Sequence, residues 1–155
     1  MALFYQIVFP EESPSAEILL QEQIAEWADS YQLKNESPNR FVVLRDGELI
    51  VSITVSNERD FFDLALGEYF FNIDWYVEIG KADGLAGMQF YVTLLGRVIS
   101  GYGGDFLSVF NGELVVVKRD NNQIHLNTES SIWKKPRNLT ILANHPYDFV
   151  TYSVE

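Results

Sequence analysis

The sequence predicts an α+β domain, with an antiparallel sheet of about six to eight strands and two helices packed on one of its faces. Three observations support this fold class. Two hairpin signals, Asp46-Gly47 and Asn111-Gly112, each lie between runs of β-branched and aromatic residues. Two other segments have the composition and caps of helices. The third observation is that the order strand, helix, hairpin occurs twice. A duplicated β-α-β-β unit is one explanation of this order.

The chain is predicted to be a single domain, residues 1–155, because its length suffices for a buried core of its own. It contains no Cys, which excludes disulfides and thiolate metal sites and favours a reducing compartment. The apolar stretch from Met1 to Phe9 is too short for a transmembrane helix and lacks a basic leader and a cleavage site. We therefore expect residues 3–9 to be the first strand of a cytoplasmic protein.

The first helix is expected to be capped by Ser13, with Pro14 at its first position. A loop at residues 35–39 should follow it and lead into the first hairpin, formed by residues 41–45 and 48–56. The apolar side chains of the helix fall on one face at helical spacing: Leu20, Ile24, Trp27, Ala28 and Tyr31.

Residues 48–56 and 69–79 alternate between apolar and polar side chains, which predicts strands with one buried and one wet face. Residues 57–67, which lie between these strands, have no clear hydrophobic period, and we expect them to form a short helical turn. The inward set of the first strand is Leu49, Val51, Ile53 and Val55, with Ile50, Ser52, Thr54 and Ser56 outward. The inward set of the second is Phe71, Ile73, Trp75, Val77 and Ile79, with Asn72, Asp74, Tyr76 and Glu78 outward.

The second half of the chain repeats the pattern. Asp83 should cap a largely buried helix at residues 84–100, which Gly101 ends. Residues 106–127 predict three strands, because Asn and Asp at each reversal tolerate left-handed backbone. A basic loop at 133–137 and a last strand at 147–154 follow. With both helices on one face, the second face of the sheet is expected to stay open and polar.

The two predicted hairpins also share sequence. Residues 41–51 and 106–116 have five identities in eleven aligned positions. Hairpins use the same turn residues for chemical reasons, so chance similarity and internal duplication both explain the match.

The formal charge of −11 belongs to the first half of the chain. Residues 1–80 contain 15 acidic and 4 basic residues, whereas residues 81–155 contain 7 of each. Such a surface repels nucleic-acid phosphates and anionic lipid, which excludes nucleic acid and membranes as expected partners. It attracts basic proteins and steers their approach. A solvated surface that keeps the protein dissolved explains the same charge.

No motif in the chain predicts catalysis, a metal or a cofactor. Gly101-Tyr-Gly-Gly104 follows a helix and precedes a strand, which is the reverse of a phosphate-binding loop. His125 and His145 have no second ligand at metal-binding spacing. Asp74 and Glu78 should lie about 13 Å apart along a strand, farther than the carboxyl pair of a glycosidase. We therefore expect a protein that is not an enzyme and holds no metal or cofactor.

Several short segments, densest between residues 104 and 133, are similar to those of one known family. They are Met1-Ala2-Leu3-Phe4-Tyr5, Gly104-Asp105-Phe106-Leu107, Phe110-Asn111-Gly112-Glu113, Val117-Lys118-Arg119, Leu126-Asn127 and Trp133. On these segments the chain resembles the third family of Sit-type immunity proteins, which protect bacteria against polymorphic toxins delivered on contact. The resemblance implies a protein that binds a toxin, and it supplies no catalytic residue.

The preferred hypothesis is an immunity-type protein that neutralises a cognate basic toxin, such as a nuclease, by direct and non-catalytic binding. Tyr beside carboxylates is typical of an interface anchor with charged surroundings, so the expected contact residues lie on the open face. An ordinary solvated sheet face explains the same residues. The alternative function is a stand-alone structural or regulatory domain that binds a host protein or a small molecule on this face. The six contact residues are Ser52, Thr54, Asn72, Asp74, Tyr76 and Glu78.

Overall fold

The structure, a computed structural model, describes residues 3–27, 31–64 and 67–152. Within these residues the regular elements are strands, two α-helices and two short 3₁₀ helices. In chain order they are β1 (Phe4–Phe9), α1 (Ala16–Glu26), β2 (Tyr31–Ser37), β3 (Arg40–Arg45), β4 (Glu48–Ser56), β5 (Asp60–Leu64), β6 (Gly67–Phe71), β7 (Ile73–Ile79), α2 (Gly84–Gly101), β8 (Phe106–Phe110), β9 (Leu114–Asp120), β10 (Gln123–Asn127), the 3₁₀ helices Ser131–Lys134 and Pro136–Leu142, and β11 (Tyr147–Val150).

The predicted α+β class is confirmed. Over the described residues the main sheet has nine strands in the order β11-β10-β9-β8-β1-β7-β4-β3-β2, and β5 pairs with β6 in a separate two-stranded sheet. Neighbouring strands of the main sheet are antiparallel, except that β10 and β11 are parallel. The main sheet thus contains one strand more than the predicted range, because β2 was not expected.

Both α-helices pack on one face of the main sheet, as predicted. Leu20 of α1 and Phe90 of α2 belong to one hydrophobic cluster with Ile7, Trp75 and Phe106 of the sheet, and all five side chains are inaccessible to water. Burying side chains of this size stabilises the fold by about 1.5–3 kcal/mol each. The main core therefore lies between the helices and the middle strands.

The element order β-α-β-β-β occurs twice, as β1 to β4 and as β7 to β10, but the two three-stranded meanders are placed differently relative to the central strands β1 and β7. The first begins at the edge of the sheet with β2 and ends with β4 beside β7, whereas the second begins with β8 beside β1 and moves outward. Residues 41–51 and 106–116 consequently do not occupy equivalent places. Turn chemistry explains the identity of Gly47 with Gly112, because both central residues of each turn have positive φ, at Asp46-Gly47 and at Asn111-Gly112.

Helix α1 begins later and ends earlier than predicted. Its cap is Ser15, whose Oγ accepts a hydrogen bond from the Ile18 backbone N–H at 3.2 Å, and not Ser13. Leu20 is buried in the core and Trp27 packs against it, whereas Tyr31 belongs to β2 and not to the helix. Ala28 lies outside the described residues.

The predicted loop at residues 35–39 is wrong, because residues 31–37 form the edge strand β2 and only residues 38–39 make the turn into β3. The strand is mostly exposed and polar, so it lacks the apolar alternation by which a strand is recognised. A second irregularity lies in the next hairpin. The register of β3 with β4 shifts after Val43, and this bulge turns Ile50, predicted to face outward, into the core beside Val51.

Helix α2 and its cap agree with the prediction. Asp83 Oδ1 accepts a hydrogen bond from the Ala86 backbone N–H at 3.0 Å, and its Oδ2 accepts one from Arg45 at 2.6 Å. The three strands of residues 106–127 are also confirmed, with positive φ at Asn121 and Asn122 in the second reversal.

Two features of the remaining C-terminal segment differ from expectation. The basic stretch at 133–137 belongs to the two 3₁₀ helices and not to a loop, and Trp133 is buried there, with its indole N–H donating to the Val116 carbonyl at 2.7 Å. Strand β11 ends at Val150, and the predicted end of this strand beyond residue 152 lies outside the described residues.

Gly87 of α2 packs closely against Ile79 and the Ile50 carbonyl of the main sheet. A Cβ added there would lie 2.7 Å from Cγ2 of Ile79 and 2.9 Å from the Ile50 carbonyl oxygen, whereas one added at Gly84 meets nothing within 4 Å. We expect Gly87→Ala to lower the free energy of unfolding by about 1–3 kcal/mol through overpacking. Gly84→Ala should raise it by about 0.4–1 kcal/mol, because Ala has less freedom in the unfolded chain. Urea unfolding of both variants measures this, and a Gly87→Ala protein as stable as wild type contradicts the close packing.

Candidate functional site: the second face of the sheet

The face of the main sheet that points away from the helices carries most of the predicted contact residues. Tyr76 of β7 lies between Gln6 of β1 and Thr54 of β4, each its direct partner in the strand register. Asp74 and Glu78 lie two residues to either side of Tyr76 and share its face. We call Gln6, Thr54, Asp74, Tyr76 and Glu78 the open patch.

The expectation that this whole face stays open and polar is wrong. Beside the open patch, Val8, Leu107 and Val109 form a second hydrophobic cluster. The β5–β6 hairpin covers it, with Phe71 buried in the cluster and Phe62 packed against it. Apolar side chains on this side of β1 and β8 make exposure to water unfavourable, so an extra layer over them stabilises the fold.

The covering hairpin replaces the short helical turn predicted for residues 57–67, because residues 60–64 form β5. The long strand predicted for residues 69–79 is likewise two strands in two different sheets, β6 and β7. They meet at a bend at Asn72, where the backbone N–H donates to the Phe9 carbonyl at 3.1 Å and the side-chain amide to the Pro10 carbonyl at 2.7 Å. Asn72 therefore lies outside the open patch, and Phe71 lies on the opposite side of the main sheet from Trp75.

Two other predicted contact residues are partly engaged. Ser52 shares the face, but it is only 2% exposed, so it offers a partner almost no surface. Thr54 accepts a hydrogen bond from Arg40 Nη1 at 3.3 Å, and Arg40 also forms an ion pair with Glu36 at 3.0 Å. A positive charge thus borders the open patch on the β3 side.

Asp74 is the most perturbed group of the open patch. Burial raises the pKa of its carboxyl to about 6, and the nearby Asp60 carboxylate adds to the increase, whereas the hydrogen bond from Gln6 opposes it. That bond joins Gln6 Nε2 to Asp74 Oδ2 at 2.9 Å. The other oxygen, Oδ1, is buried without a hydrogen-bond partner among the described residues. The ionised form of Asp74 is therefore less stable in the free protein than that of an exposed carboxyl group.

Tyr76 lies at the centre of the open patch and is oriented by stacking. Its ring is 4.7 Å from that of Phe4, with the two planes 19° apart. Burial raises the pKa of its hydroxyl, and the Glu78 and Asp74 carboxylates raise it further, so it is a neutral hydrogen-bonding group at physiological pH. Two oriented rings beside carboxylates are features of a recognition surface.

The outer face of the covering hairpin is a part of the site that the sequence reading missed. Phe61 and Phe70 are direct partners in the register, with ring centroids 5.3 Å apart, and they are 46% and 49% exposed. Asp63 and Glu68, the next pair on the same face, are exposed too. The Arg59 guanidinium lies 5.5 Å from the centroid of the Phe70 ring. The doublets Phe61-Phe62 and Phe70-Phe71 could have indicated this exposed pair, because consecutive residues of a strand point to opposite faces, so that each doublet places one ring on each face.

Across residues 3–27, 31–64 and 67–152, no group of three or more His, Cys, Asp or Glu side chains is placed to hold a metal ion. In the same part of the chain, no helix has the length and apolar character needed to cross a membrane. His125 of β10 lies four strands away from β7 in the strand order, and its Nδ1 is 2.6 Å from Asp148 Oδ1.

The raised pKa of Asp74 predicts a specific dependence of stability on pH. Its folded value, about 6, is above the unfolded value of 3.8, so the folded protein holds this proton more tightly. The resulting stability is fully present below about pH 4 and is lost as the pH rises through about 6. We expect Asp74→Asn to remove this loss, so that wild type loses about 1–3 kcal/mol more between pH 4 and pH 7 than the variant does. Denaturant unfolding across this range measures the difference, and parallel curves contradict it.

Comparison of the chain with models of known protein families finds no family that matches. Searches of curated proteins and of solved structures likewise return no significant match. The geometry of the second face therefore carries the functional argument, and the resemblance to Sit-type immunity proteins stays a hypothesis.

Proposed function

We propose that the protein is an immunity-type binding protein of the bacterial cytoplasm, which neutralises a cognate basic toxin by direct and non-catalytic binding. The observation that carries the proposal is the composition of the second face. There the open patch combines the Asp74 and Glu78 carboxylates with the stacked ring of Tyr76. Aromatic anchors with carboxylates beside them are typical of protein recognition surfaces. The resemblance to the Sit-type immunity family supports the same function.

The charge distribution supports a basic partner. All of the formal charge of −11 comes from residues 1–80, which contribute β7, β4 and the covering hairpin to the second face. Complementary charge raises the rate of association by steering the encounter, and it opposes wrong partners of the same sign. A toxin that must bind nucleic-acid phosphates carries the required positive surface.

Co-expression with the product of the neighbouring reading frame tests the function. We expect the protein to restore growth to cells that produce a toxic neighbour, and to co-purify with it as a stable complex on size exclusion. Continued toxicity without a complex contradicts an immunity function. A complex with a host protein instead, again without protection, supports the alternative of a structural or regulatory binding domain.

The electrostatic part of the proposal predicts the effect of one charge reversal. We expect Glu78→Lys on the open patch to slow association with the toxin by about 3- to 10-fold at low salt, and less at high salt because charges are screened. Glu17→Lys is the matched control, since it makes the same charge change at an exposed position of α1, on the helical side of the sheet. Surface plasmon resonance at two salt concentrations measures both. Equal rates for the two variants exclude the open patch from the encounter surface.

A further inference from the structure

We propose that the outer face of the β5–β6 hairpin anchors this interaction, and that Phe61, Phe70, Asp63 and Glu68 receive arginine side chains of the basic partner. This inference rests on the proposed function and names the partner chemistry and the surface that recognises it. It also moves the centre of the interface from the middle of the open patch to the hairpin beside it.

Only the inner face of the hairpin packs against the main sheet. Phe62 and Phe71 lie on that inner face, in contact with each other at 5.2 Å between centroids and with the second hydrophobic cluster. A two-stranded hairpin is marginally stable by itself, so these inner rings hold it in place. Phe61 and Phe70 point the other way and leave almost half of each side chain in water. The two rings pack against each other but belong to neither hydrophobic cluster, and their exposed area is available as apolar contact surface for a partner.

The surroundings of the two rings select a cation. Asp63 and Glu68 lie next to them on the same face, and residues 57–71 contain four acidic residues and one basic residue. A guanidinium group stacks on aromatic faces, and its planar fork of N–H groups donates two parallel hydrogen bonds to a carboxylate. A lysine ammonium does not match this geometry. The aromatic half of this contact already occurs within the chain, since the Arg59 guanidinium lies 5.5 Å from the centroid of the Phe70 ring.

The hairpin and the open patch are adjacent to each other. Strand β6 passes into β7 at Asn72, so the hairpin begins where the patch ends. Asp60 of the hairpin is close enough to Asp74 of the patch to raise the pKa of the Asp74 carboxyl. A partner anchored on the hairpin therefore also faces the carboxylates of the patch.

A second exposed aromatic pair in the chain provides a matched control. Tyr147 and Phe149 of β11 are 42% and 48% exposed, with centroids 5.9 Å apart. They are on the helical side of the sheet, because their register partners Ile124 and Leu126 belong to the main core. Residues 133–149 contain three basic residues and one acidic residue, so this pair lacks the acidic surroundings of the hairpin.

The first experiment compares the two pairs in binding to the neighbouring toxin. We expect Phe61→Thr with Phe70→Thr to weaken binding at least about 30-fold and to abolish protection, because both anchor rings are lost while strand propensity is kept. Tyr147→Thr with Phe149→Thr should bind as wild type does. Near-UV circular dichroism verifies that each variant is folded. Undiminished binding by the folded hairpin variant overturns the anchor while leaving the immunity function standing.

The second experiment tests the arginine chemistry without the toxin. The probes are two 12-residue peptides, one of alternating Arg and Gly and one of alternating Lys and Gly. We expect the Arg peptide to shift the aromatic NMR signals of Phe61 and Phe70 at a concentration at least about 5-fold lower than the Lys peptide. Asp63→Asn with Glu68→Gln, which changes charge without removing the rings, should weaken the effect. Equal shifts from both peptides, or shifts confined to Tyr147 and Phe149, overturn the inference even if the toxin binds.

Discussion

The antiparallel pairing of β1 with β7 is the contact on which the rest of the structure depends. It joins strands that are far apart in sequence, from Phe4 opposite Glu78 to Phe9 opposite Ile73. The meander of the first half attaches to the other edge of β7, and that of the second half to the other edge of β1. Each of the two strands also precedes one helix, and both helices return to the same face. Separation of this pair would divide the sheet through its middle and expose both halves of the core.

The same two strands explain why one part of the second face is apolar and covered, whereas the other part is polar and exposed to water. Val8 of β1 joins Leu107 and Val109 of β8 in an apolar area that needs a cover, whereas Asp74 and Tyr76 of β7 do not. The chain between β4 and β7 is the segment that leads directly to this area, and its β5–β6 hairpin covers it. The hairpin is thus required for packing on one side only. Its other side lies outside both hydrophobic clusters.

The sequence predicted those elements whose signals are local. The turns at Asp46-Gly47 and Asn111-Gly112 depend on two adjacent residues, and the cap of α2 depends on Asp83 and the residues just after it. Long-range contacts decided the rest. The alternation of residues 69–79 continues through the bend at Asn72, so nothing in the pattern reveals that the bend assigns Phe71 and Trp75 to opposite faces of the main sheet. Of the six predicted contact residues, Asn72 left the face through this bend, and Ser52 kept the face but is buried.

Asp74 lies at the boundary between the covered apolar part and the exposed polar part of the second face, and this position decides what a bound cation would gain there. A carboxylate that stays exposed to water in a complex gains little from a partner's cation, because water and salt screen its charge. Asp74 has lost part of its hydration, lies near Asp60 and has one oxygen without a partner among the described residues. A guanidinium brought to this edge of the hairpin would supply hydrogen bonds that the free protein lacks, in surroundings of lower dielectric constant where each is stronger. Because such a partner favours the ionised carboxyl, binding would return the pKa of Asp74 toward its ordinary value. On the proposed function, the unfavourable electrostatics of the free surface would therefore be the source of selectivity for a basic partner.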